Sequence, residues 1–303
     1  MKSLDALITT NRNTENRKTV SIANAGDKEV LLAVRDALEQ DLCSFILFGN
    51  VEKIKDAAIE ITLDLENPFI NVKETATPDA AAQAAVKAVS QQEADVLMKG
   101  NIATKTLLKA VLNKEFGLRT GNILSHVALF EIPGRERLVF LTDPAMNITP
   151  NLKEKAEIIK NAVVVARGIG LEKPKVAVLA PVETVNEAMQ STVDAALLTQ
   201  MQKRGQIKNC IVDGPLAFDN AVSIEAAKHK GIQSEVAGDL DILLVPTIDV
   251  GNALYKSFIY FAGANVAAMV SGAKAPIVLP SRSDDAKSKL YSLSLALATT
   301  TTF

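Results

Sequence analysis

The stretch Pro276-Ile277-Val278-Leu279-Pro280-Ser281-Arg282-Ser283 is an apolar run that stops abruptly at a hydroxyl and a guanidinium. It reads as a buried strand carrying two anion-handling groups to its carboxyl end. In open α/β sheets, ligand sites gather outside the carboxyl ends of the strands. Other apolar runs end in the same manner. Residues 95–98 lead into Lys99-Gly100-Asn101, and 242–245 lead into Pro246 and a loop containing Asp249, Gly251 and Asn252. Residues 138–141 lead into Thr142-Asp143, and 210–212 into Asp213-Gly214-Pro215.

Outward from these runs, strand-like and helix-period segments alternate. Strands are expected at 19–25, 43–48, 95–98, 175–179, 210–212, 242–245 and 277–279. Helices are expected at 27–40, 79–92, 104–113, 151–167, 183–204, 220–230, 253–262 and 284–299. Pro150 before the 151–167 segment and Gly168 after it match the proline start and glycine stop of a helix. The runs 123–132 and 138–141 are separated by Pro133-Gly134, a turn pair, so they are expected to pair antiparallel. The alternation predicts a mainly parallel, doubly wound α/β architecture. No internal repeat or low-complexity linker interrupts it.

At 303 residues the chain is long enough for one large or two ordinary α/β domains. Hydrophobic residues make up 48% and aromatic residues 4%, with no Trp, so Ala, Val, Ile and Leu must carry the packing. That suits parallel sheets covered by helices. The formal charge of −2, with acids and bases interspersed, lacks the basic stripe of a nucleic-acid binder. So few aromatics also argue against a base-stacking platform. Cys43 and Cys210 each sit in an apolar run and read as reduced buried thiols, not as a disulfide framework or a metal site. The N-terminal residues are too polar for a signal peptide, and no apolar stretch approaches membrane-spanning length. A soluble cytoplasmic protein, with neither nucleic acid nor membrane as partner, is expected.

Each strand-end group has a functional and a plain reading. Ser281-Arg282 offers a planar fork of donors and a hydroxyl to a phosphate or carboxylate, beside the start of a helix. It reads equally as a surface arginine with a helix-capping serine. Lys99-Gly100-Asn101 pairs a cation with free backbone donors, as phosphate sites do, or is a surface lysine beside a turn. It lacks the P-loop pattern. Gly251 would let a ligand approach the backbone and Asn252 would cap a helix or bind a phosphate, or both are ordinary turn residues. Gly168-Ile169-Gly170 follows a helix and reads as its cap, not as a dinucleotide motif. His126 and His229 form no metal-binding or triad spacing, and no metal site is expected.

Together these strand ends resemble the phosphate acetyl/butyryltransferase family, and its butyryl branch in particular. The resemblance runs from about Asp95 to the end of the chain. It is carried by Asp95-Val-Leu-Met-Lys-Gly100, Leu107-Leu-Lys109, Lys175-Val-Ala-Val-Leu-Ala180, Val212-Asp-Gly-Pro215, Val245-Pro246, Asp249-Val-Gly-Asn252, Tyr255-Lys256 and Ser281-Arg282. It implies reversible transfer of an acyl group between coenzyme A and inorganic phosphate, with CoA as substrate, no tightly bound cofactor and no metal. It also implies two α/β domains with a cleft between them, similar to isocitrate and isopropylmalate dehydrogenases, in a homodimer or higher homo-oligomer. The expected domains are 1–134 with 280–303, and 135–279.

In this resemblance Arg282 holds the phosphate, and Ser281 serves the thioester oxygen or the thiol. Lys99 and Lys109 add positive charge beside Gly100 and Asn101. Asp249, Gly251 and Asn252 line the cleft. Two positions depart from the acetyl branch. Its general-base Asp is Ser288 here, and an Arg of its Leu-Leu-Arg segment is Lys109, which keeps the charge but loses the fork. Either Asp284 or Asp285 replaces the base, or cationic groups stabilise the thiolate without a dedicated carboxylate. The alternatives are acetyl transfer on the same site, a metal- and nicotinamide-dependent hydroxy-acid dehydrogenase on the same fold, and a non-catalytic sensor of CoA or acyl phosphate. The dehydrogenase would need clustered Asp or His ligands, and the sensor would bind acyl-CoA without consuming it.

Overall fold

The computed structural model describes residues 3–12, 17–281 and 284–302. The chain begins with α1 (Leu4–Asn11), β1 (Lys18–Ala23), α2 (Lys28–Glu39), β2 (Cys43–Gly49), α3 (Val51–Glu60), β3 (Ile70–Glu74), α4 (Pro78–Ser90), β4 (Val96–Lys99) and α5 (Thr104–Val111). Next come β5 (Ser125–Glu131), β6 (Val139–Thr142), α6 (Leu152–Gly168), β7 (Lys175–Leu179), α7 (Gln190–Lys203), β8 (Ile211–Leu216), α8 (Phe218–Val222), α9 (Ile224–His229), β9 (Ile242–Leu244) and α10 (Ile248–Tyr260). The chain closes with β10 (Asn265–Ser271), β11 (Ile277–Val278) and α11 (Ala286–Thr299). These elements fall into two compact units, Leu4–Asn122 with Ala267–Thr301, and Ile123–Val266. Among the described residues no helix is long and apolar enough to cross a membrane.

The first unit orders its strands β3-β2-β1-β4-β11-β10. All neighbours are parallel except β10 and β11. Strands β2 and β4 read as near-continuous apolar runs because both sheet faces are covered, which parallel sheets require. Helix α4 supplies much of that cover through Ala81, Ala82, Ala85, Val86 and Val89, all buried. Its small residues let the backbone come close, and the Ser21 hydroxyl donates to the Ala85 carbonyl at 3.0 Å. From β1 the chain winds outward through β2 to β3, and then returns to β4 on the other side of β1. The strand order therefore reverses between β1 and β4, the place where doubly wound sheets bind ligands.

The second unit orders its strands β5-β6-β9-β7-β8. Here β5 and β6 pair antiparallel around Pro133-Gly134, with Val127 opposite Thr142 and Phe130 opposite Val139, as their sequence suggested. The other pairs are parallel. Helix α6 starts with a capping box between Asn151 and Glu154. The fold is thus α/β with mixed, mainly parallel sheet.

Several elements differ from their sequence expectation. The expected helix over 183–204 begins only at Gln190, because the Asn186 side chain takes the Ala188 N–H and Thr192 bonds back to Asn186. Such local side-chain bonds offer the backbone an alternative to helix. The expected helix over 220–230 is two short helices broken at extended Ser223, whose hydroxyl caps the second. Elements α1, β3 and β10 were not anticipated. Short apolar runs do not separate strand from helix by periodicity alone. The division at 122/123 and 266/267 also differs from an expected split at 134 and 279. The difference lies in β5, which pairs with β6, and in β10 and β11, which pair with each other.

Candidate active site

Strands β1, β4 and β11 lie side by side and parallel, so their carboxyl ends meet at one edge of the first unit. A pocket of about 120 Å³ opens there. Lys99, Gly100, Asn101 and Ser281, all singled out from sequence, line it together. Lys289 of α11 and the carboxylates Asp27 and Glu29 at the start of α2 line it as well. Arg282 falls outside the described residues.

Gly100 is required by packing. A Cβ there would lie 2.3 Å from the Asn24 oxygen and 2.6 Å from the Ala23 oxygen. The turn beyond β4 is laced to the end of β1, with the Gly100 N–H donating to Ala23 O and the Asn101 N–H to Asn24 O. This corrects the expectation of free backbone donors at Gly100 and Asn101. The start of α2 is occupied too, since Asp27 accepts the N–H groups of Glu29 and Val30. Among the described lining residues, side chains are therefore what remains to meet an anion here. Lys99 is buried at 7% exposure, and its ammonium donates to the carbonyls of Gly100 and Ile102 at 3.3 and 3.5 Å.

The acids after Ser281 build the loop. Asp284 accepts the Ser281 N–H at 2.7 Å, and its own N–H donates to the Ser281 carbonyl. Asp285 caps α11 by accepting the Ser288 N–H at 2.7 Å. Ser288, at the acetyl-branch base position, is thus bound into the first turn of the helix.

The remaining sequence candidates are not among the lining residues of this pocket. Lys109 is exposed near the end of α5. Asp249, Gly251 and Asn252 occupy the first turn of α10 in the second unit, with Asp249 and Asn252 exposed. Gly251 does not open the backbone to a ligand as expected. A Cβ there would lie 2.7 Å from Pro144 Cα and 2.9 Å from the Asp143 oxygen, so protein fills that space. Asp143 itself organises the turn after β6, accepting from the N–H groups of Ala145, Met146 and Asn147.

The second unit holds a larger cavity of about 860 Å³ with an apolar lining that includes Leu152, Leu179, Phe218, Val250 and Leu254. Its polar lining includes a buried ion pair, Lys155 with Asp194 at 2.6 Å, and Gln190 also donates to Asp194. Neither cysteine offers a nucleophile. Burial pushes the Cys43 thiol up, and pushes Cys210 up to about 11, so both stay protonated at neutral pH. Among the described residues no group of three His, Cys, Asp or Glu side chains is placed to hold a metal ion.

Lys289, like Glu29, is a lining residue that sequence reading missed. A lysine near the start of a helix reads as a solvated face, yet this one is 3% exposed. The available signal was its place: a cation near a helix N-terminus opposes the helix dipole.

Comparison with known proteins identifies the family of the chain. Residues 68–297 match the family model described as "Phosphate acetyl/butaryl transferase". The chain is 55% identical over 280 residues to a protein of Bacillus subtilis strain 168 named probable phosphate butyryltransferase, covering 92% of each. A crystal structure of a branched-chain phosphotransacylase from Enterococcus faecalis V583 superposes with a TM-score of 0.82 at 41% identity, over 93% of this chain and 99% of that one. A 4-hydroxythreonine-4-phosphate dehydrogenase from Klebsiella pneumoniae shares the fold alone, at a TM-score of 0.62 and 11% identity over 94% of this chain and 100% of that one. The chain belongs to the phosphate acetyl/butyryltransferase family.

Proposed function

We propose that the chain transfers an acyl group reversibly between coenzyme A and inorganic phosphate, and that it prefers a butyryl-sized group to acetyl. Family membership supports acyl transfer. The observation that carries the proposed site is the convergence of Lys99, Asn101 and Ser281 on one phosphate-sized pocket at the strand ends. In the forward direction a hydrogenphosphate oxygen attacks the thioester carbonyl carbon. The tetrahedral intermediate then expels sulfur as the C–S bond breaks, and the proton brought by the phosphate ends on the CoA thiol.

Three tasks follow. The phosphate must be held in line with the carbonyl carbon. The carbonyl oxygen, as it gains charge, needs an aimed donor. Sulfur must leave as thiolate, which neighbouring positive charge favours. In this reading Lys99 and Arg282 hold the phosphate, and Ser281 donates to the thioester oxygen or the departing sulfur. Lys109 adds positive charge, and Asn252, exposed at the start of α10, is a further donor to the acyl-CoA. The two compact units are the two domains of a cytoplasmic homo-oligomer.

The preference for butyryl is supported by Lys109 and Ser288 at two positions where the acetyl branch differs, and by the name of the Bacillus subtilis relative. Butyryl and acetyl differ by two methylenes, each worth ~1–3 kcal/mol in discrimination, so acetyl transfer should be weaker but measurable. The test is thiol release from acetyl-, butyryl- and isobutyryl-CoA with and without phosphate. Phosphate-dependent release with butyryl-CoA ahead of acetyl-CoA is expected. A kcat/KM for acetyl-CoA equal to or above that for butyryl-CoA would replace the substrate assignment. Binding of acyl-CoA with no phosphate-dependent release would favour a non-catalytic sensor.

A further inference from the structure

We propose that Lys289 is a further phosphate-binding cation of the strand-end pocket, and that Glu29 is a carboxylate that competes with the anion for it. The inference rests on the acyl-transfer reading above and adds two residues to its site. Lys289 is the fourth residue of α11, close to the positive end of the helix dipole and 3% exposed. Both placements disfavour a cation unless an anion compensates it. Its bonds within the chain compensate it weakly. The ammonium donates to the neutral carbonyl of Asp284. Its carboxylate partner, Glu29, stands 3.8 Å away on a side chain 50% exposed to solvent. That distance exceeds the hydrogen-bond range, and water screens the pair.

The pocket explains what the ammonium serves. Lys289 lines it beside Lys99, Asn101 and Ser281, so a bound anion meets ammonium groups from β4 and α11. The nearby backbone donors of Gly100, Asn101, Glu29 and Val30 are already engaged, which leaves the neutralisation to side chains. A volume of about 120 Å³ has room for one phosphoryl group. The anion is assigned to the phosphate that reacts. Glu29 reaches the same ammonium from the solvent side. A phosphate entering the pocket displaces it, so Glu29 weakens phosphate binding without touching the acyl-CoA.

The test is steady-state kinetics of the full-length enzyme, varying inorganic phosphate and butyryl-CoA separately, with Lys289→Met, Lys289→Arg and Glu29→Gln. A hydrogen bond to a charged group supports a rise in phosphate KM of roughly tenfold or more in Lys289→Met, with butyryl-CoA KM nearly unchanged and partial rescue in Lys289→Arg. Loss of an exposed competing carboxylate should lower phosphate KM in Glu29→Gln by up to about fivefold. If Lys289→Met is too unstable to assay, Glu29→Gln decides the question, together with the rise in melting temperature that phosphate confers on each protein. Unchanged phosphate KM in Glu29→Gln and in any active Lys289 variant would overturn the inference. So would a change confined to butyryl-CoA KM, which would move the anion to a phosphate of CoA. Absence of phosphate-dependent thiol release in the unmodified enzyme would instead overturn the acyl-transfer reading itself.

Discussion

A methyl group placed on Gly100 would lie 2.3 Å from the Asn24 oxygen, and one on Gly251 would lie 2.7 Å from Pro144 Cα. In both cases the obstacle is main chain, which cannot swing aside as a flexible side chain would. Gly100→Ala and Gly251→Ala should each lose roughly 1–3 kcal/mol of stability, the usual range for overpacking. Urea midpoints of the two variants check this. A Gly251→Ala variant with an unchanged midpoint and a raised acyl-CoA KM would return that glycine to the role of admitting a ligand. At this scale Lys99, Gly100 and Asn101 were legible as a strand end with a cation beside a tight turn. The use of their N–H groups was not, because the acceptors come from β1, far away in sequence. Lys289 was hidden for a similar reason: nothing next to it in the chain reports that it is buried.

The loop between β11 and α11 and the first turn of that helix hold both acids that are candidates for the general base. Asp284 holds the Ser281 N–H, and Asp285 holds the Ser288 N–H. Carboxylates committed to such bonds act as loop ties and helix caps. Asp285→Ala should therefore cost about 1 kcal/mol of stability, as the loss of a cap does. Asp285→Asn, which preserves capping, should leave turnover close to that of the parent. A positioned base would contribute ~10²–10⁴-fold, so a drop of that size in a folded Asp284→Asn or Asp285→Asn variant, followed against pH, would restore the carboxylate route. The same two variants separate loop-building from proton transfer, since only the latter changes the shape of the pH profile. Element boundaries elsewhere followed local chemistry that the apolar pattern does not carry. Asn186 delays the start of α7, and Ser223 splits the expected 220–230 helix in two.

Across the whole molecule, Cys43 belongs to the first compact unit and Cys210 to the second, each buried with its thiol pKa raised by desolvation. Each cysteine therefore reports the opening of its own unit. A thiol reagent at neutral pH should leave the native enzyme unlabelled and active, and labelling should appear only as denaturant unfolds the unit concerned, read residue by residue by mass spectrometry. Rapid labelling of either cysteine with loss of activity in the absence of denaturant would contradict its burial. On its own the sequence determined the α/β class, most of the strands, the antiparallel pair around Pro133-Gly134, and the strand-end groups that resemble an acyl-CoA:phosphate transferase. Those features are local, written in apolar periodicity, in turn residues and in short polar motifs. Only the tertiary structure decided which strand ends are neighbours and which of their polar groups are engaged. The order β1-β4-β11 rests on contacts remote in sequence, such as the Leu97 N–H to the Pro276 carbonyl. That pairing brings Lys99, Ser281 and Lys289 around one pocket, because strand order is set by non-local hydrogen bonds that no stretch of sequence contains.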